Sequence, residues 1–198
     1  MKRQNERILK MVGIAFMMAL VVVMQSISGI IPPIGGFSIS LVLIPIVLGA
    51  AVYGPGAGAL LGATFGIIVF INCVTGADPG GAMVFQANPV LCFLVVMAKG
   101  TLAGWASGAI YRLLKDKNAY IAMLAAAIVC PVLNTGIFVA CMFLFFIDVL
   151  SAWAGGGNVV GYVLTGLIVA NFVPELIINI VFSPAGHQIH KIVLRKNA

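Results

Sequence analysis

Residues 88–108, NPVLCFLVVMAKGTLAGWASG, make a membrane-length apolar run with a single lysine near its middle. With a helix starting at Pro89, Lys99 lies about 15 Å along it at 1.5 Å per residue, close to the midplane of a hydrocarbon layer about 30 Å thick. An ammonium group facing lipid at that depth costs at least about 2.5–3.5 kcal/mol, so Lys99 is expected to face a cavity, a counter-charge or a ligand. The same run places Gly100, Gly104 and Gly108 four residues apart. Glycines at that spacing form a ridge along which a second helix can approach closely.

The rest of the chain suits the same solvent. Of its 198 residues 62% are hydrophobic and 8% charged, and the mean hydropathy is +1.17. A water-soluble core of this size would not tolerate such values, so the chain reads as an integral membrane protein. The net charge of +6 is carried by short basic clusters between apolar runs. Clusters so placed act as topology signals, and nucleic acid is not an expected partner. Cys73, Cys92, Cys130 and Cys141 form no CxxC pair and have no histidine at ligand spacing. They read as small buried hydrophobes, and neither a metal nor a cofactor is expected. The opening MKRQNERILK and its apolar run imitate a signal peptide. The run is longer than an h-region of about 7–15 residues and lacks a clear cleavage site, so it is read as a first membrane helix.

Breaks rich in proline, glycine or charge divide residues 1–198 into a single all-α membrane domain of six expected helices, roughly 8–30, 39–52, 57–72, 89–114, 119–147 and 159–181 with a helical tail. The second is short and contains Pro45, which suits a tilted, broken or partly spanning segment. Lys2, Arg3, Arg7, Lys10, Arg112, Lys115, Lys117, Lys191, Arg195 and Lys196 then fall on one side, and the opposite loops carry only Asp78 and Asp148. By the positive-inside rule both termini are expected in the cytoplasm. The outer connections, residues 31–38, 73–88 and 148–158, are glycine-rich and nearly uncharged. They suit either a lid folded over the bundle or flexible exposed loops. Gly58, Gly62 and Gly66 give the third helix its own small-residue ridge, and Ala15 and Ala19 give the first an AxxxA pair. Internal packing is the default reading of both, with docking of the first helix on a membrane partner as the alternative.

Glu175 is the other ionisable group well inside an expected helix, with Asn171 and Asn179 one turn to either side. Pro174 removes a backbone donor there and loosens the ladder. The fifth helix adds Pro131, Asn134 and Thr135. A site among these helices is plausible because a polar group facing hydrocarbon has no partners. For Lys99 and Glu175 two readings stand level: ligand contact, or an ion pair that fixes helix register. Asn134 and Thr135 also suit interhelical hydrogen bonding, and Trp153 and Phe85 suit either stacking on a ring or anchoring at headgroups. The sequence has no GxxxxGK[ST], HExxH or GxSxG, and its two histidines, His187 and His190, lie in the basic tail. Nucleotide hydrolysis and hydrolase chemistry therefore have no visible machinery, and the chain is not expected to be an enzyme. An ion-coupled carrier titrating at Glu175 stays open, although two matching halves are not evident.

The basic N-terminus, Ala15 and Ala19, the segment ISLVLIPIVLGAAVYGPGAGALLGATFG, the long connection ending in NP and the LNTGIF element resemble the S component of an energy-coupling factor (ECF) vitamin transporter over nearly the whole chain. The resemblance implies a six-helix bundle in the bacterial cytoplasmic membrane. It would hold a micronutrient near its outer side and dock through first-helix small residues on a transmembrane coupling subunit driven by two ATPase subunits. The run from FINCVTGADPGG to AIYRLLK is most similar to pantothenate-type members, with Lys99 where arginine is usual. Pantothenate, a hydroxylated carboxylate with an amide, suits one cation and several amide side chains. The resemblance thus implies Lys99, Gln86, Asn88, Asn134, Asn171, Glu175 and Trp153 as substrate contacts and Ala15 and Ala19 as the docking pair. Loss of the bidentate guanidinium fork leaves riboflavin or a pyridoxine-like compound open as substrates.

Overall fold

The computed structural model describes residues 2–28 and 41–197, and every element in them is helical. In chain order these are α1 (Lys2–Ser28), α2 (Leu43–Tyr53), α3 (Pro55–Thr75), α4 (Pro79–Ala87), α5 (Pro89–Leu114), α6 (Ala119–Phe145), α7 (Ile147–Trp153), α8 (Val159–Tyr162), a π-helical stretch (Val163–Phe172) and α9 (Val173–Asn197). Among the described residues five segments are long and apolar enough to cross a membrane: Arg7–Ser28, Pro55–Thr75, Pro89–Leu114, Ala119–Phe145 and Val159–Pro184. The second expected helix, α2, has 11 residues. At 1.5 Å per residue it reaches only about half the hydrocarbon thickness and is too short to cross it. The outer connection 31–38 lies outside the described residues.

Local chemistry sets most boundaries. Gly54, at φ 96° and ψ 176°, adopts a backbone that a side chain would strain, and Pro55 then starts α3 as its first residue. Asparagine caps open three later helices. Asn88 Oδ1 accepts from Leu91 N, Asn118 Oδ1 from Tyr120 N and Ile121 N, and Asn158 Oδ1 from Val160 N and Gly161 N. The connections 73–88 and 148–158 are not plain loops. Each contains a short helix, α4 and α7, and these touch each other across the end of the bundle.

The two glycine ridges pair with each other. α3 and α5 make the most extensive contact in the fold, with α6 on the far side of α5 and α9 against α6. A Cβ at Gly62 would overlap the carbonyl oxygen of Gly100, and a Cβ at Gly58 that of Gly104; the reverse substitutions would strike the carbonyls of Gly62 and Gly58. The backbones therefore meet with no side chain between them. Large apolar residues face outward from the other sides, among them Phe16, Leu94, Leu102, Val169 and Ile177. In a membrane chain these are the lipid-facing positions.

Pro174 leaves its mark just upstream. Its ring clashes with the carbonyl four residues before it and it has no N–H to donate, so a regular α-helix cannot run through this point undisturbed. The ten residues Val163–Phe172 take wider π-turns instead, a device found most often at functional positions.

Candidate functional site

One cavity gathers most of the polar groups held at membrane depth. Its volume is about 110 Å³, and its wall includes Lys99, Asn134, Asn171, Glu175 and Trp153. It is enclosed by α3, the N-terminal half of α5, the middle of α6, the π-helical stretch and the start of α9, with α4, α7 and Gln25 of α1 completing the wall. Arg112, Lys115 and Lys117 are at the opposite end of α5. The cavity thus occupies the end of the bundle remote from the basic loop.

Lys99 reaches into it between aromatic faces. Its Nζ is 4.7 Å from the Phe138 ring centroid and 5.7 Å from that of Phe65. Such contacts are worth about 0.5–2 kcal/mol and offset part of the cost of holding an ammonium away from water. Glu175 and Asp78 share the cavity and lie within electrostatic range of the ammonium. Trp153 stacks on Phe138, centroids 6.5 Å apart at 28°, and lines the cavity. Phe85 also turns inward, edge-on to Phe70 at 5.8 Å.

Two amide oxygens point to what the cavity can hold. Asn134, 5% exposed, has an Oδ1 with no hydrogen-bond partner among the described residues, and so does the Oδ1 of Asn171. A buried acceptor left unmade costs about 1–3 kcal/mol, which a ligand carrying O–H or N–H donors would recover. A cation, two carboxylates and two waiting acceptors are thus arranged around a space lined elsewhere by Val69, Val84, Val95 and Val96. The volume is nearer that of a small-ring cavity, about 150 Å³, than the roughly 300–1,000 Å³ of drug-sized pockets.

A family comparison gives this arrangement its context. The profile described as "ECF transporter, substrate-specific component" matches residues 9–185. The chain belongs to this family. It is therefore a substrate-specific component of an ECF transporter, a multi-pass membrane subunit that binds a small molecule and works with the ECF module, and it is not an enzyme. No curated protein matches the chain.

Two expected contacts lie away from the cavity of this substrate-specific component. Asn88 commits its side-chain oxygen to capping α5, and Gln86 is exposed on α4; neither lines the wall. The stripe in the last span is also split. Asn171 and Glu175 face the cavity, whereas Asn179, 3% exposed, donates its Nδ2 to the Glu175 backbone carbonyl at 2.8 Å. Gln25, Asn72 and Asp78 join the wall without having been expected there. Gln25 carried a signal, as an amide in an otherwise apolar stretch of α1 that is only 8% exposed in the fold. Ala15 and Ala19 are exposed, so in this fold they are not internal packing residues.

Proposed function

We propose that this S component captures a small hydroxylated carboxylate micronutrient, with pantothenate favoured by the sequence resemblance, for uptake across the bacterial cytoplasmic membrane. The observation that carries the reading is the pairing, in one cavity, of the Lys99 ammonium with the unfilled acceptors of Asn134 and Asn171. Lys99 takes the substrate carboxylate, while the amide oxygens and Glu175 accept from its hydroxyl and amide groups. Both termini lie in the cytoplasm in this reading, so the cavity opens outward and the basic ends face inward. A second reading has one observation in its favour. Asp78 and Glu175 place two carboxylates beside a single ammonium, which suits a ligand with its own positive charge, such as a protonated pyridoxine-like ring.

Uptake on this account needs the rest of the transporter. Ala15 and Ala19, exposed on α1, supply the flat face on which the coupling subunit docks, with two ATPase subunits behind it. Ala15→Trp or Ala19→Trp is expected to abolish uptake into vesicles carrying the full complex and internal ATP, while the isolated subunit binds substrate as before. Uptake by the subunit alone, driven by an ion gradient, would overturn the reading. Parallel loss of binding and uptake in both variants would remove the docking role.

A further inference from the structure

α1 meets the rest of the bundle along one narrow seam. Among its described residues only Met17, Val21, Gln25 and Ser28 are buried, and their spacing puts them on one face of the helix. Its backbone approaches α2 and α3 and no other described element, and it is the least buried of the five long spans. Three of the seam residues serve the helix locally. Met17 and Val21 pack in the apolar core with Val42, Leu43 and Ile46, and Ser28 donates its hydroxyl to the Met24 carbonyl at 2.9 Å. Gln25 instead reaches the cavity, and among the described residues it is the only one of α1 in the wall. An amide costs more to bury than a leucine of similar size. Its place here, at the end of an otherwise apolar stretch from Met11 to Met24, therefore marks a polar contact made at the cavity.

We propose that Gln25 contacts the carried molecule, and that through it α1 reports the filling of the cavity to its own docking face. The proposal deepens the substrate and docking roles given above and rests on them. A glutamine amide both donates and accepts, so Gln25 can take a hydroxyl or amide group of a hydroxylated substrate. The geometry of α1 carries the effect onward. Residues 14–28 contain neither glycine nor proline, so this part of the helix shifts as one rod. Ala15 lies ten residues from Gln25, about 15 Å along that rod at 1.5 Å per residue. Tyr53 of α2 lies against Gly13, where a Cβ would overlap the tyrosine hydroxyl, and this contact pins the helix beyond Ala15. With the cavity filled, the substrate gives the seam a polar anchor at its other end, and the exposed face with Ala15 and Ala19 is held in one position. With the cavity empty, α1 samples several positions, and the coupling subunit meets the right one less often.

Pantothenate, riboflavin and pyridoxine are the probes, each offered to the purified full-length protein. A failure of the carboxylate reading then shows as binding of pyridoxine or riboflavin in place of pantothenate, and Gln25 is judged on the vitamin that binds. Gln25→Met keeps the length of the side chain and loses the amide. It is expected to weaken binding about three- to tenfold, the size of one neutral hydrogen bond. At concentrations that saturate both proteins, amide exchange over residues 19–28 should slow severalfold in wild type and much less in the variant. Uptake by the reconstituted full transporter should stay severalfold below wild type even at saturation. Ser28→Ala, on the same face but off the cavity, should change none of these. Unaltered affinity in Gln25→Met would overturn the proposal, as would failure of wild type to bind any of the three. Full recovery of uptake at saturation would overturn the link to docking, and an equal defect in Ser28→Ala would reduce Gln25 to a packing residue. Exchange over α1 that does not respond to the vitamin in wild type contradicts the proposal without any variant, so poor folding of Gln25→Met does not remove the test.

Discussion

Gly62→Leu is expected to prevent the bundle from assembling. A Cβ alone at that position overlaps the Gly100 carbonyl oxygen, and the neighbouring contact of Gly58 with Gly104 is just as close from both sides. Overpacking against side chains typically costs about 1–3 kcal/mol because side chains can turn away. Here the obstacle is the backbone of the facing helix, so the helices must separate along their largest contact and the loss should exceed about 3 kcal/mol. Gly136→Leu is the matched control, since a Cβ at Gly136 meets nothing within 4 Å. Unfolding of both purified variants in detergent measures the difference. Equal stability of the two would mean that the α3 and α5 ridges do not meet as described.

The second large effect is at Lys99, where the two readings of the residue predict opposite patterns. As the carboxylate anchor, Lys99→Met should weaken substrate binding about ten- to a hundredfold, the equivalent of one charged hydrogen bond of roughly 1.5–3 kcal/mol. Lys99→Arg should keep part of the affinity, because a guanidinium also serves a carboxylate. As the counter-charge of Glu175, Lys99→Met should instead strand a carboxylate and lower stability, and adding Glu175→Gln should restore both stability and binding. Asp78→Asn extends the comparison to the second reading of the cavity. A cation-bearing ligand would lose more from Asp78→Asn than from Lys99→Met, and an anionic one the reverse.

The features legible in the sequence were those that depend on spacing along one helix. Gly58, Gly62 and Gly66, and Gly100, Gly104 and Gly108, announced two ridges by their four-residue interval, and the structure pairs the one with the other. Lys99 announced a cavity, a counter-charge or a ligand, and in the structure it lines a cavity together with Glu175 and Asp78. What depends on how helices are arranged in space was harder to see. α4 and α7 have nine and seven residues, too few for an apolar period to emerge, and the glycines of PGGAMVFQA read as loop; only Asp78-Pro79 marked a helix start. Asn88 was read as a ligand group, whereas its place before Pro89 already suited a cap. Asn72, Asp78 and Gln25 come from the ends of three different elements, so no interval along the chain connects them. Pro174 signalled a disturbed helix, but not that the disturbance would take the form of π-turns over the ten residues before it.

The central claim is that a small carboxylate sits in this cavity and is held by Lys99. Native mass spectrometry of the purified protein, released from mild detergent after growth in rich medium, tests it most directly. The account predicts a bound small molecule on wild type whose released mass and fragmentation identify a carboxylate, and which is absent from a folded Lys99→Met variant. A bound molecule retained undiminished by Lys99→Met, or one carrying a positive charge and no carboxylate, would contradict it.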